Sequence, residues 1–131
     1  MDRLQARLSV ARRTLDRLSP LASRAVVTDI ERDAAIQRFE FCFEATWKAA
    51  QLFLSLREGI EAGSPKAVIR AALQSGLLSE EETRSALVMA DDRNLTVHTY
   101  NEEFAKRIFA DLAAHAALLE HWISVMEARR G

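Results

Sequence analysis

The stretch "IQRFEFCFEATWKAAQLFL", residues 36–54, decides the fold. Ile36, Phe39, Phe43, Trp47, Ala50 and Leu54 recur every three or four residues, the spacing that stacks side chains along one face of an α-helix. No other segment carries apolar groups this bulky, so the stripe predicts a helix of roughly residues 29–57 at the centre of the core. Thr28 or Asp29 can cap its start, and Gly59 closes it. Cys42, inside the same run, reads as a small core residue.

On the N-terminal side, Leu4, Leu8, Ala11, Leu15 and Leu18 form a second amphipathic stripe, and Pro20 is expected to stop that helix. On the C-terminal side, "GSPKAVIRAALQSG" (63–76) is a short helix with its own punctuation. Ser64 caps it, Pro65 sits in the first turn where a missing N–H costs nothing, and Gly76 ends it. Ser79 and Glu82 form a capping box that opens a further helix through Leu87 and Met89. Phe104, Ile108, Leu112, Leu119, Trp122 and Met126 define a long last helix to about Ala128. Thr99 with Glu102, or Asn101, can cap it. No stretch alternates as a strand does. The sequence therefore predicts an all-α fold, an antiparallel four-helix up-and-down bundle with an additional short helix, forming one domain over residues 1–131.

With 131 residues and 49% apolar side chains, the chain is long enough to bury a real core. Its apolar runs are too short to cross a bilayer, and its start lacks the apolar segment of a secretory leader. Cys42 is the single cysteine, so no intrachain disulfide can form, and the expected location is the cytoplasm with no membrane association. The net charge of −1 gives no overall attraction for nucleic acid, but the charges are unevenly placed. Residues 1–24 hold six arginines against Asp2 and Asp16, whereas residues 79–92 hold five acidic residues against Arg84. These are two solvated helix faces, or else the basic helix attracts a phosphate backbone or an acidic partner.

Most catalytic chemistries lack their residues. His115 and His121 are six positions apart, about 120° around a helix, so they cannot share a face as metal ligands, and His115 reads as a core-edge residue. There is no Gly-rich phosphate loop, no nucleophile elbow, no cysteine pair and no zinc-binding H-E-x-x-H. Neither a metal nor a cofactor is expected.

The exception is "DDRNLTVHTYNEE", residues 91–103, where the apolar rhythm falters and Arg93, His98 and Tyr100 fall within eight residues. On one continuous helix Arg93 and Tyr100 point the same way, while His98 lies about 140° around. The three converge only if the helix breaks between them, or if they face a cleft shared with a second subunit. As a plain polar joint, Arg93 would pair with Asp91 or Asp92 and His98 would cap carbonyls.

This stretch resembles the R-x4-H-x-Y signature of HEPN domains encoded beside minimal nucleotidyltransferases, here on Arg93, His98 and Tyr100, with Asn94 in the polar position after the arginine. "RFEFCFEATWKAAQLFL" (38–54) and "SPKAVIRAALQSGLL" (64–78) stand in the order and spacing of the same family, whose members are also known as nucleotidyltransferase substrate-binding proteins. The resemblance covers about residues 36–104. It implies a toxin that is a metal-independent endoribonuclease, dimerising so that two motifs line one cleft. It also implies a cognate minimal nucleotidyltransferase antitoxin that transfers AMP to Tyr100 and silences the nuclease. The alternative within the family is a non-catalytic substrate-binding subunit of a two-component nucleotidyltransferase.

The residue types suit RNA cleavage without a metal. That reaction needs a base for the 2′-OH proton, an acid for the leaving 5′-oxygen and positive charge on the phosphate. Histidine as a class titrates near neutrality, so His98 suits proton transfer. Arg93 can grip a phosphate with two parallel N–H groups, and Asn94 can orient the histidine or the phosphate. One such histidine per chain supplies one proton carrier, and a homodimer supplies two.

Overall fold

Every helix begins where a short polar side chain can accept an otherwise orphaned backbone N–H. The computed structural model describes residues 2–130, and among these there is no strand. Asp2 accepts from the Gln5 N–H at 2.7 Å and opens α1 (Arg3–Ala22). Thr28 and Glu31 form a reciprocal capping box at the start of α2 (Asp29–Phe53). Ser64 caps α3 (Pro65–Gln74), with Pro65 as its first residue. The Ser79–Glu82 box opens α4 (Glu80–Leu95). Asn101, not Thr99, caps α5 (Glu102–Arg129), accepting from the Phe104 N–H at 3.2 Å.

The four long helices α1, α2, α4 and α5 make the bundle, and α3 is the additional short helix, lying on α4 and α2. The α1 helix packs on α2 and α5, and α4 closes against α5 and α2. All six residues of the α2 stripe are buried, as are the five of the α1 stripe. Trp122, Phe39, Phe43 and Phe53 are the largest fully buried side chains, each worth roughly 1.5–3 kcal/mol of burial. Cys42 is fully buried, and that burial pushes its thiol pKa up. Among the described residues no helix is long and apolar enough to cross a membrane.

Two helix ends depart from the sequence expectation. Pro20 does not stop α1, which continues to Ala22. A proline removes its own N–H from the ladder and crowds the carbonyl four residues before it, but Ser23 still donates to Ser19 O at 3.1 Å, and burial of Leu21 and Ala22 keeps the last turn wound. At the far end of α2, Leu54–Glu58 form a π-helical turn, which no local pattern announces. Gly59 then closes it in the left-handed region at φ +65°, donating its N–H back to Leu54 O.

Candidate functional site

The break that the motif requires is present. The α4 helix ends at Leu95, and Thr96–His98 form one 3₁₀ turn before α5. Thr96 makes this junction. Its hydroxyl donates to Arg93 O at 2.7 Å, taking up a carbonyl of the last helical turn, and accepts from Arg93 Nη1 at 3.1 Å. Thr99 in turn donates its hydroxyl to Thr96 O, and Asn101 N–H donates to His98 O.

Arg93 is partly buried and points to α2, where its Nη1 lies 3.7 Å from Glu40 Oε2. Its Nε is buried with no hydrogen-bond partner. Glu44, one turn along α2, accepts from Trp47 Nε1 at 2.9 Å and pairs with Lys48. Burial would raise the Glu44 carboxyl pKa, but the hydrogen bonds from Trp47 and Lys48 and the charges of Lys48 and Arg93 hold it below the usual range. Arg93 thus closes a small ionic cluster on the α2 surface. The aspartates beside it have other partners: Asp91 pairs with Lys66 at 2.5 Å and Asp92 with His115 at 2.7 Å. Arg93 is therefore not the partner of either aspartate, contrary to the plain-joint reading.

His98 and Tyr100 are brought together in solvent. Their rings meet edge to face at 5.9 Å between centroids, with the phenol oxygen 3.5 Å from His98 Nδ1. Tyr100 is 85% exposed, unusual for an aromatic ring in a folded chain. Asn94 is exposed on a different side, at the edge of a cavity of about 250 Å³ beneath the start of α3. Within one chain, then, the imidazole and phenol form a pair, the guanidinium sits against α2, and Asn94 faces α3. Among the described residues no hydrogen bond joins Arg93 to His98 or Tyr100, so one chain does not close these groups into a single pocket.

Reading along the chain missed Glu40, Thr96 and the Asp92–His115 pair. Glu40 and Glu44, four residues apart in an otherwise apolar run, were the available signal for a cation against α2. His121, which the spacing argument separates from His115, pairs instead with Glu82 at 2.9 Å.

Residues 6–128 match the model of the family described as nucleotidyltransferase substrate binding protein like. A probable ribonuclease HepT of Haemophilus influenzae is 33% identical over 92 residues, 67% of this chain and 62% of that protein. The match therefore spans less than two thirds of that relative's length. A crystal structure of a protein from Thermus thermophilus is similar at TM-score 0.85 and 53% identity, covering 87% of this chain and 96% of the other. A tri-AMPylated Shewanella oneidensis HEPN toxin, solved in complex with MNT antitoxin, shares the fold at TM-score 0.78 and 19% identity, covering 98% and 100%. With the family model spanning nearly its whole length, the chain belongs to the nucleotidyltransferase substrate-binding-protein-like family.

Proposed function

We propose that this chain is the toxin of a toxin–antitoxin pair, a metal-independent endoribonuclease that works as a homodimer. Arg93 and His98 carry the catalysis, Asn94 supports it, and a cognate minimal nucleotidyltransferase silences it by transferring AMP to Tyr100. The observation that carries this reading is the exposed His98–Tyr100 pair on the turn directly after an arginine anchored to α2. The name of the Haemophilus relative, a probable ribonuclease, and the AMPylated state of the Shewanella toxin point the same way.

In this mechanism the imidazole of His98 removes the 2′-OH proton, and the freed oxygen attacks the adjacent phosphorus. The Arg93 guanidinium offsets charge on the non-bridging oxygens. The His98 of a second copy protonates the departing 5′-oxygen, which is the chemical reason for a dimer. In silencing, the Tyr100 oxygen attacks the α-phosphorus of ATP, one P–O bond forms, the bond to the β-phosphate breaks and pyrophosphate leaves. The phenol proton passes to a base, and His98 Nδ1 lies 3.5 Å from that oxygen.

The test is cleavage of RNA by the purified protein in EDTA. His98→Ala and Arg93→Ala are each expected to abolish cleavage and growth inhibition while leaving the fold intact. A nuclease that requires magnesium, or that survives His98→Ala, removes this mechanism, and a fully active monomer by light scattering removes the shared site. The family description favours one second reading, a non-catalytic substrate-binding subunit. On that reading the protein cuts nothing and instead enables its nucleotidyltransferase partner to modify a separate acceptor.

A further inference from the structure

The arginine-rich α1 plays no part in the site described above, and its charges are not equivalent. Arg12 is neutralised by Glu120 and Glu127 of α5, and Arg24 by Glu31. Arg3, Arg7, Arg13 and Arg17 have no carboxylate partner among the described residues, and at helical spacing they share the outward side of α1. Two of them edge the shallow groove between α1 and α2. At one end Arg7 Nη1 donates to Lys48 O at 3.2 Å; at the other, Arg38 Nη1 donates to Arg17 O at 2.9 Å. Both bonds cross between the helices and end on neutral carbonyls, so they fix the Arg7 and Arg38 guanidiniums in place without cancelling their charge, Arg17 contributing only its carbonyl.

Between these ends the groove mixes apolar side chains with the neutral polar Thr14 and Gln37. Phe41, 56% exposed, and Val10, 42% exposed, rise from its floor and rim. Two adjoining hollows of about 260 and 290 Å³ flank them, one lined by Arg17, Arg38 and Phe41, the other by Arg7, Val10 and Lys48. No carboxylate lines either hollow. The acids of α2 next to these residues have partners of their own: Glu44 pairs with Lys48 at 3.2 Å, Asp33 with Arg32 at 3.3 Å and Glu40 with Arg93 at 3.7 Å. Arg7 and Arg17 are ten residues apart, about 15 Å along the helix, so cations stand at both ends of a track with an aromatic ring between them. Phe41 is next in sequence to Glu40, which holds Arg93, and lies about 60° from Glu44 around α2. The track therefore adjoins the exposed face of α2 that leads to the motif.

We propose that the α1–α2 groove is a docking track for the backbone of single-stranded RNA, with Arg7, Arg17 and Arg38 on phosphates and Phe41 stacked on a base. This rests on the reading of the chain as an RNA-acting protein. Fixed cations at intervals along a groove with an exposed ring between them are what an extended polyanion carrying flat bases requires. A second copy of the chain is disfavoured as the occupant. A two-fold contact through this face would set arginines against arginines with no carboxylate in the groove to offset them.

The test is binding of a fluorescein-labelled, uncleavable 2′-O-methyl oligoribonucleotide to the full chain, followed by anisotropy across a salt series. Replacing both groove arginines (Arg17→Gln with Arg38→Gln) is expected to weaken binding at least about tenfold at low salt. It should also flatten the log–log salt slope by about 0.7 per lost phosphate contact. The doubly conservative Arg17→Lys, Arg38→Lys chain should recover most of that slope, and Phe41→Leu should cost about fivefold or more. Arg24→Gln, just past the end of α1 and already paired with Glu31, is the control and should bind as the parent does. Groove variants that remain folded and bind with unchanged affinity and slope overturn the proposal, as does a parent chain that does not bind the oligonucleotide. Loss of self-association by light scattering, or loss of nucleotidyltransferase binding with RNA binding intact, assigns the face to a protein partner and also overturns it. Because the probe cannot be cut, binding without nuclease activity sinks only the catalytic reading. Cleavage that ignores the groove variants sinks only the track.

Discussion

His115 Nε2 lies 2.7 Å from Asp92 Oδ2, both side chains are buried, and the imidazole stacks on Phe39 with ring centroids 5.3 Å apart. This pair ties α4 to α5 and rests on α2, one residue before Arg93 on one side and one residue before Glu40 on the other. Removing the carboxylate strands a buried imidazole. Asp92→Ala is therefore expected to cost about 1–3 kcal/mol in urea unfolding, with Asp92→Asn milder because an amide oxygen still accepts. A loss under about 0.5 kcal/mol, the range of a surface change, means the pair does not hold these helices together.

Trp47 is a core residue, 9% exposed, with its indole N–H on Glu44. Trp47→Ala is expected to destabilise by about 3–5 kcal/mol, the range for large aromatic truncations. An unchanged melt with weakened RNA binding assigns the ring to RNA instead of the core.

Tyr100 offers its hydroxyl to solvent. Incubation with the cognate nucleotidyltransferase and ATP is expected to add AMP there, visible by intact-mass spectrometry. The phosphodiester brings a negative charge beside His98, where it competes for the place of the scissile phosphate. Cleavage should fall in step with modification, and Tyr100→Phe should stay toxic when the partner is expressed. Complete modification with full cleavage separates the AMP from the switch.

Acid should loosen two helix starts. The Glu31 carboxyl is held below its usual range chiefly by the Thr28 backbone N–H and hydroxyl. The Glu82 carboxyl is likewise depressed, first by the Ser79 backbone N–H, against the opposing effect of burial, with Ser79 and His121 adding to the lowering. A carboxylate with a depressed folded pKa contributes stability that is complete above its unfolded value, near 4.5, and is lost as the pH falls through the folded one. Thermal melts should therefore drop below about pH 4.5. The Glu31→Gln, Glu82→Gln chain should lose less on acidification, since glutamine keeps the box geometry without titrating. An identical acid loss in parent and variant places the titration elsewhere.

The helix map was legible because its signals are local. Ser64–Pro65, Ser79–Glu82, Gly59 and Gly76 each act within one turn of where they sit. Pro20 misled because a proline's effect depends on whether later residues have a core to bury in, which is tertiary information. The family motif was legible as four residue types at fixed spacing. Its surroundings were not: Glu40 reaches Arg93 from a different helix, and His115 is 23 residues from Asp92. Spacing shows which groups share a helix face, but only packing shows which faces meet.

The buried, unpartnered Nε of Arg93 has a consequence for how this position tolerates change. Leaving a donor stranded away from water costs about 1–3 kcal/mol, a burden the fold alone gives no reason to keep. Methionine or leucine there would lift that burden, giving up only a 3.7 Å ion pair and one hydrogen bond to Thr96. If Arg93 carries the proposed cleavage, thermostability and activity pull in opposite directions at this position. A screen that selects only for heat resistance is expected to discard this arginine and enrich folded, inert chains.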